Sequence, residues 1–132
     1  MEFAEWVSQH SVGDALMDSY HHIFFQGVEH IEQMAGEGNL EAARERVTFL
    51  LVYANMHFEA EEALLAKAGY PGLEDHRSQH QAFRDRIQEL QIQMQTDPSL
   101  STLVEIARTA KGWWMRHILQ EDMKYAEYLK KR

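Results

Sequence analysis

Four stretches of the sequence repeat apolar side chains at intervals of three and four residues, the spacing that lines one face of an α-helix. The first runs Phe24, Val28, Ile31, Ala35, and one turn back from it is His21. The second runs Val47, Leu50, Ala54, His57, Glu61, Leu64, Ala68, and the third Leu73, His76, His80, Phe83, Ile87, Leu90, Met94. The fourth carries Ile106, Ala110, Trp113 and Trp114, then His117, Ile118, Asp122, Tyr125 and Leu129. Gly36-Glu37-Gly38-Asn39, Gly69-Tyr70-Pro71-Gly72 and Pro98 break the chain between them. Proline and glycine at such points end helices, so the breaks predict helices over about 14–36, 40–68, 72–96 and 99–130. Short connections make consecutive helices antiparallel neighbours. The expected fold is all-α: one domain over 1–132, an up-down-up-down antiparallel four-helix bundle. Residues 1–13, with Phe3, Trp6 and Val12, are expected to form an N-terminal arm packed across it.

What interrupts the stripes is more informative than the stripes. His57 and Glu61 occupy consecutive seam positions on the second helix, and His76 and His80 do so on the third. An i, i+4 pair stacks on one face, so both side chains reach a single point. His21 lies on the first seam. His117 and Asp122, five residues apart, fall about 140° apart around an α-helix and straddle the stripe without stacking. Burying a polar group without a partner costs roughly 2–7 kcal/mol. Seven such groups therefore rival the whole net stability of a domain, about 5–15 kcal/mol. Something must satisfy them together. Any one of these residues alone is an ordinary buried histidine or a His–Glu couple; four helices placing ligand-type residues at similar depth is not. His10, His22 and His30 fall off the seams or outside the helices and are expected at the surface.

The chain has no cysteine, which removes disulfides, thiolate zinc sites and iron–sulfur clusters. Five imidazoles and two carboxylates make a nitrogen and oxygen site for iron, zinc, nickel, copper or manganese. Seven ligands are too many for one small transition metal and fit two metals bridged by the carboxylates. Thirteen Lys and Arg against twenty-one Asp and Glu give a net charge of −8, which disfavours nucleic acid and anionic membrane as partners. No apolar run approaches the ~20 residues that span a bilayer. The first residues lack the basic and apolar blocks of a signal peptide, so the cytoplasm is the expected compartment.

At these residues the sequence resembles the hemerythrin family in its stand-alone bacterial form. Val12-Gly13 followed by Met17-Asp18-Ser19-Tyr20-His21 is similar to the family's Val-Gly-x-x-x-Ile-Asp-x-Gln-His. His57-Phe58-Glu59-Ala60-Glu61-Glu62 resembles His-Phe-x-x-Glu-Glu. Tyr70-Pro71 with His76 and His80 resembles Tyr-Pro…His-x-x-x-His. Trp113-Trp114-Met115-Arg116-His117-Ile118 with Asp122 resembles Trp-Leu-x-x-His-Ile-x-x-x-Asp. Tyr20 stands where the family has glutamine, and Trp114 where leucine is common.

The resemblance implies a non-haem di-iron centre that binds dioxygen reversibly, a carrier or store and not an enzyme. By that analogy His76, His80 and His117 hold one iron, and His21 and His57 the other. Glu61 and Asp122 bridge them beside a solvent-derived oxo or hydroxo group. Phe24, Trp113, Trp114 and Ile118 line the oxygen pocket. An oxygen-consuming enzyme or a separate signalling protein is the partner this implies. The rival class is a ferritin-like di-iron oxidase, or a protein handling iron, nitric oxide or peroxide. Ferritin-like sites use Glu-x-x-His motifs, and the sequence contains none.

Overall fold

The computed structural model describes residues 8–131. Its helices are α1 (Ala15–Gly36), α2 (Leu40–Lys67), α3 (Leu73–Thr96) and α4 (Leu100–Arg116). The last continues through a π-helical turn, His117–Asp122, into α5 (Met123–Lys131), so α4, the turn and α5 form one fourth rod. There is no strand among the described residues. Among them no helix is long and apolar enough to cross a membrane. Helix α1 packs against α2 and α4, and α3 packs against the same two, which closes the antiparallel ring expected from the sequence.

Local chemistry sets the ends. The side chains of Asp14, Asn39 and Ser99 accept hydrogen bonds from the Met17, Ala42 and Thr102 amides and cap α1, α2 and α4. Gly38 and Gly69 close α1 and α2 in the left-handed region, at φ +77 and +68. The next amides, Asn39 and Tyr70, reach back to the Met34 and Leu65 carbonyls at 3.0 Å. A side chain at either glycine would strain the turn.

The arm is tied down by Asp18. Its carboxylate accepts the Val12 amide at 2.8 Å and the Ser11 hydroxyl at 2.6 Å. Val12 is buried with Met17, Leu65, Tyr125 and Ala126. Phe3 and Trp6 lie outside the described residues.

Two expectations need correction. His10 and His22 are not surface residues; they are 9% and 7% exposed, whereas His30 is exposed as expected. Helical phase finds only the face that a helix turns to its bundle neighbours, and His10 precedes the first bundle helix while His22 lies one step off its seam. In α2 the fully buried residue after Glu61 is Leu65, while Leu64 is half-buried, because 3.6 residues per turn carries the stripe forward by one over a long helix.

The core has two apolar clusters. A large one contains Phe24, Phe58, Phe83, Trp114 and Ile118; a small one contains Met17, Leu65 and Tyr125. Every rod passes from one to the other through a polar layer. In α1 His21 lies between Met17 and Phe24, and in α2 His57 and Glu61 lie between Ala54 and Leu65. In α3 His76 and His80 precede Phe83, and in the fourth rod Asp122 lies between Ile118 and Tyr125.

Candidate metal centre

The polar layer gathers all seven residues singled out in the sequence. His21, His57, Glu61, His76, His80, His117 and Asp122 are each 4% exposed or less. All five imidazoles turn Nε2 inward, and they form two groups. His117 Nε2 lies 3.2 Å from both His76 Nε2 and His80 Nε2. His21 and His57 meet edge to face, with ring centroids 4.7 Å apart. The carboxylates span the groups. Glu61 Oε1 is 2.6 Å from His76 Nε2 and 3.1 Å from His80 Nε2, while Oε2 is 3.2 Å from His21 Nε2 and 3.1 Å from His57 Nε2. Asp122 repeats the pattern, with Oδ1 3.0 Å from His117 and 3.2 Å from His76, and Oδ2 3.1 Å from His21. Each carboxylate turns one oxygen to the trio and one to the pair.

The π-helical turn makes this possible. On an α-helix His117 and Asp122 would straddle the stripe, as their spacing led us to expect. Residues His117–Asp122 instead adopt i→i+5 pairing, which brings the sixth residue over the first. The two side chains meet on one face, 3.0 Å apart.

Protons alone satisfy this arrangement poorly. Three imidazole nitrogens converge without an acceptor for each, and both Asp122 oxygens are buried without a hydrogen bond of acceptable geometry. Burial opposes charge on every group here. It keeps the His57 imidazole below its usual range. At His21 and His76 burial is outweighed by the Asp122 and Glu61 carboxylates, which lift them to about 9 and about 10. Burial works to raise Glu61 and Asp122 too, and repulsion between them adds to it at Asp122, yet the surrounding histidines hold both below the usual carboxylate range. The metal-free site thus recruits protons to neutralise its carboxylates. Donor atoms of Glu61, His76, His80 and His117, and of His21, His57 and Glu61, lie close enough within each set to hold one cation. Two such sets sharing one carboxylate suit a pair of metals.

The hemerythrin HHE cation binding domain family model matches residues 12–129. The chain belongs to the hemerythrin family. It is 25% identical over 130 residues to a bacteriohemerythrin of Stenotrophomonas maltophilia, covering 98% of this chain and 84% of that one. It is 26% identical to a bacteriohemerythrin of Pseudomonas aeruginosa, covering 92% and 78%. It is 27% identical to a hemerythrin of Sipunculus nudus, covering 94% and 92%. No solved structure matches it significantly. A hemerythrin domain with this histidine and carboxylate cluster suits a di-iron centre.

Around the seven-residue cluster, the four residues expected to line one pocket divide. Trp114 is stacked on Phe24, centroids 3.6 Å apart and planes 15° apart, and lies 5.1 Å from the His57 ring and 5.8 Å from the His21 ring. Ile118 is buried in the same cluster. Trp113 instead stacks on His117, 4.5 Å and 12° apart, on the three-histidine side. Adjacent residues on a helix point about 100° apart, so the two indoles serve different faces.

Three residues at the site were not singled out for function from the sequence. Tyr125 donates its hydroxyl to Glu61 Oε2 at 3.0 Å. Burial and the nearby carboxylates push that phenol well above its usual range. His80 Nδ1 lies 3.0 Å from Glu62 Oε2, and His117 Nδ1 3.1 Å from Gln79 Oε1. A proton held on Nδ1 leaves the Nε2 lone pair for metal. Tyr125 lies one turn beyond Asp122 on the apolar stripe, a signal the sequence did offer. Gln79 offered none.

The His21-His22 doublet gives a direct test. His21→Ala is expected to lose the metal of the two-histidine group, whereas His22→Ala, His10→Ala and His30→Ala keep both metals. Metal analysis of the four purified variants checks this, and loss with His22→Ala alone would move the register by one.

Proposed function

We propose that this hemerythrin binds dioxygen reversibly at a di-iron centre, as an oxygen carrier or store in the cytoplasm that supplies an oxygen-consuming enzyme or informs a signalling protein. His76, His80 and His117 would hold one iron, and His21 and His57 the other. Glu61, Asp122 and a solvent-derived oxo or hydroxo group would bridge them. The iron pair, when bound, supplies the two electrons that hold dioxygen and recovers them on its release.

The observation that carries this reading is the three-to-two asymmetry of the histidines under two shared carboxylates. The two-histidine position has one protein ligand fewer, so an exogenous ligand has a place there. Trp114, stacked on Phe24, covers that side with apolar surface, with Ile118 in the same buried cluster, and a dry, low-dielectric site disfavours the escape of charged oxygen species. Tyr125 holds Glu61 in place from the opposite cluster.

The test is metal analysis with visible spectroscopy through repeated cycles of oxygen and argon. About two irons per chain are expected from the donor count, with charge-transfer bands that come and go and no haem Soret band. A single zinc, or iron oxidised irreversibly on first exposure to air, would overturn the reading.

Trp114 fills the space beside His21 and His57. Trp114→Leu is expected to bind azide faster and to autoxidise faster with iron content unchanged, at a cavity cost of roughly 1–3 kcal/mol in stability. Stopped-flow azide binding and the decay of the oxygenated spectrum check it. Unchanged rates would make Trp114 a packing residue only.

A further inference from the structure

We infer that the surface cleft over the Trp113–His117 stack is the port through which an external one-electron donor re-reduces the oxidised metal pair. The inference rests on the di-iron reading above. A metal pair that exchanges electrons with oxygen is left oxidised whenever oxygen departs as a reduced species, and it regains function only if electrons reach it. Its ligands are buried, so no donor meets the metals directly.

Of the seven ligand side chains, His117 is the most exposed, at 4%, against 2% for His76 and 1% or less for the other five. It forms part of the lining of an open cleft of about 210 Å³ with Gln79, Trp113, Arg116, Gln120 and Glu121. Trp113 is half-buried in that cleft, one face stacked on the His117 ring at 4.5 Å. Electron tunnelling falls off steeply with distance and needs no bond, only close approach. A donor seated in the cleft touches a π-system that itself touches a metal ligand.

The opposite side is built differently. There Trp114 and Phe24 are both 2% exposed or less, and their stack covers His21 and His57. Electrons and oxygen thus approach from opposite ends of the site, and the donor is kept from the bound oxygen.

Charge at the cleft fits a carrier of either sign. Arg116 and Glu121 carry opposite charges in the lining, and beside it Lys124 Nζ binds Glu121 at 3.1 Å and Asp75 accepts from Gln79 at 3.1 Å, so two cations stand against two carboxylates. On a chain of net charge −8, a neutral mouth is a place where an anionic donor is not repelled. Each donor molecule gives up one electron and each electron converts one ferric ion to ferrous. No bond forms or breaks in the protein, and two donations restore the pair.

The experiment reduces the oxidised protein by stopped flow under argon with ferrous EDTA, an anion, and with hexaammineruthenium(II), a cation. Gln120→Lys, on the exposed rim, is expected to speed the first and slow the second by up to roughly tenfold at low salt, with both effects shrinking as salt is raised. Gln26→Lys on the distant outer face of α1 should change neither. Trp113→Leu should slow both donors severalfold and Trp113→Phe much less, with iron content and the azide-complex spectrum intact. Equal rates across Gln120→Lys, or a larger effect from Gln26→Lys, would overturn the port.

A second measurement needs no iron. In the metal-free protein, the redox-inert chromium(III)–EDTA should broaden the Trp113 indole N–H resonance selectively over that of Trp114. Equal broadening, or none, would also overturn it. Failure to bind iron would count against the function, whereas absent broadening counts against the port alone.

Discussion

Glu61→Ala is expected to empty both metal positions, not one. Its two oxygens lie within 3.2 Å of the Nε2 atoms of His21, His57, His76 and His80, four of the five histidines. Without it, each group keeps only Asp122 as a carboxylate, and the charge that offsets a metal pair is halved. Asp122→Ala should act in the same direction, while His57→Ala removes a ligand from one group alone. Iron per chain after gel filtration should fall from about two to near zero in Glu61→Ala and to about one in His57→Ala. Retention of one iron in Glu61→Ala would mean that the three-histidine group and Asp122 suffice by themselves.

The second large effect is the pH dependence of the metal-stripped protein. His21 and His76 are raised above their ordinary 6.5, to about 9 and about 10. Protonation there favours the fold, fully below pH 6.5, and the gain is lost as pH rises through 9 and 10. Glu61 and Asp122 are depressed, so their contribution is present above about pH 4.5 and lost as pH falls through their lowered values. His57 is depressed too, and keeping it neutral withdraws part of the gain below 6.5. The metal-free protein should therefore be most stable between about pH 4.5 and 6.5 and weaken by a few kcal/mol toward pH 10. Metal replaces those protons, so the loaded protein should be more stable throughout and should lack the alkaline decline. Denaturant unfolding of both forms at pH 5.5, 8 and 10 measures this. A metal-free protein as stable at pH 10 as at 5.5 would contradict the proton-sharing account of the site.

The helices were legible because proline, glycine and capping residues act locally, and each break in the sequence became a break in the fold. His57 with Glu61 and His76 with His80 were legible for a similar reason, since an i, i+4 pair on a helix has one geometry. His117 and Asp122 were singled out too, but their meeting on one face was not legible, because periodicity assumes an α-helix and the π-turn departs from it only where these two residues meet. Trp113 and Trp114 show a different limit. Both sit on the apolar stripe, and the stripe alone does not say which group of histidines each indole covers. His10 and His22 are buried for reasons outside helical phase. Tyr125 read as core, and its hydroxyl found Glu61 on a helix 64 residues away in sequence, a contact no local pattern encodes.

A π-turn is a helix with one residue too many. Leu119 is half exposed and Gln120 is exposed, so substitutions there meet mostly solvent. Deleting either would be absorbed. The run would revert to ordinary α-helix, His117 and Asp122 would become an i, i+4 pair, and such a pair stacks on one face. Asp122 would stay beside His117, and Tyr125 beside Glu61. What the site does not absorb is straightening at the present count, because regular α-helix through all six residues would turn Asp122 and everything beyond it about 100° away. At this point the extra residue and the widened turn cancel, and either one without the other would move Asp122 off the cluster.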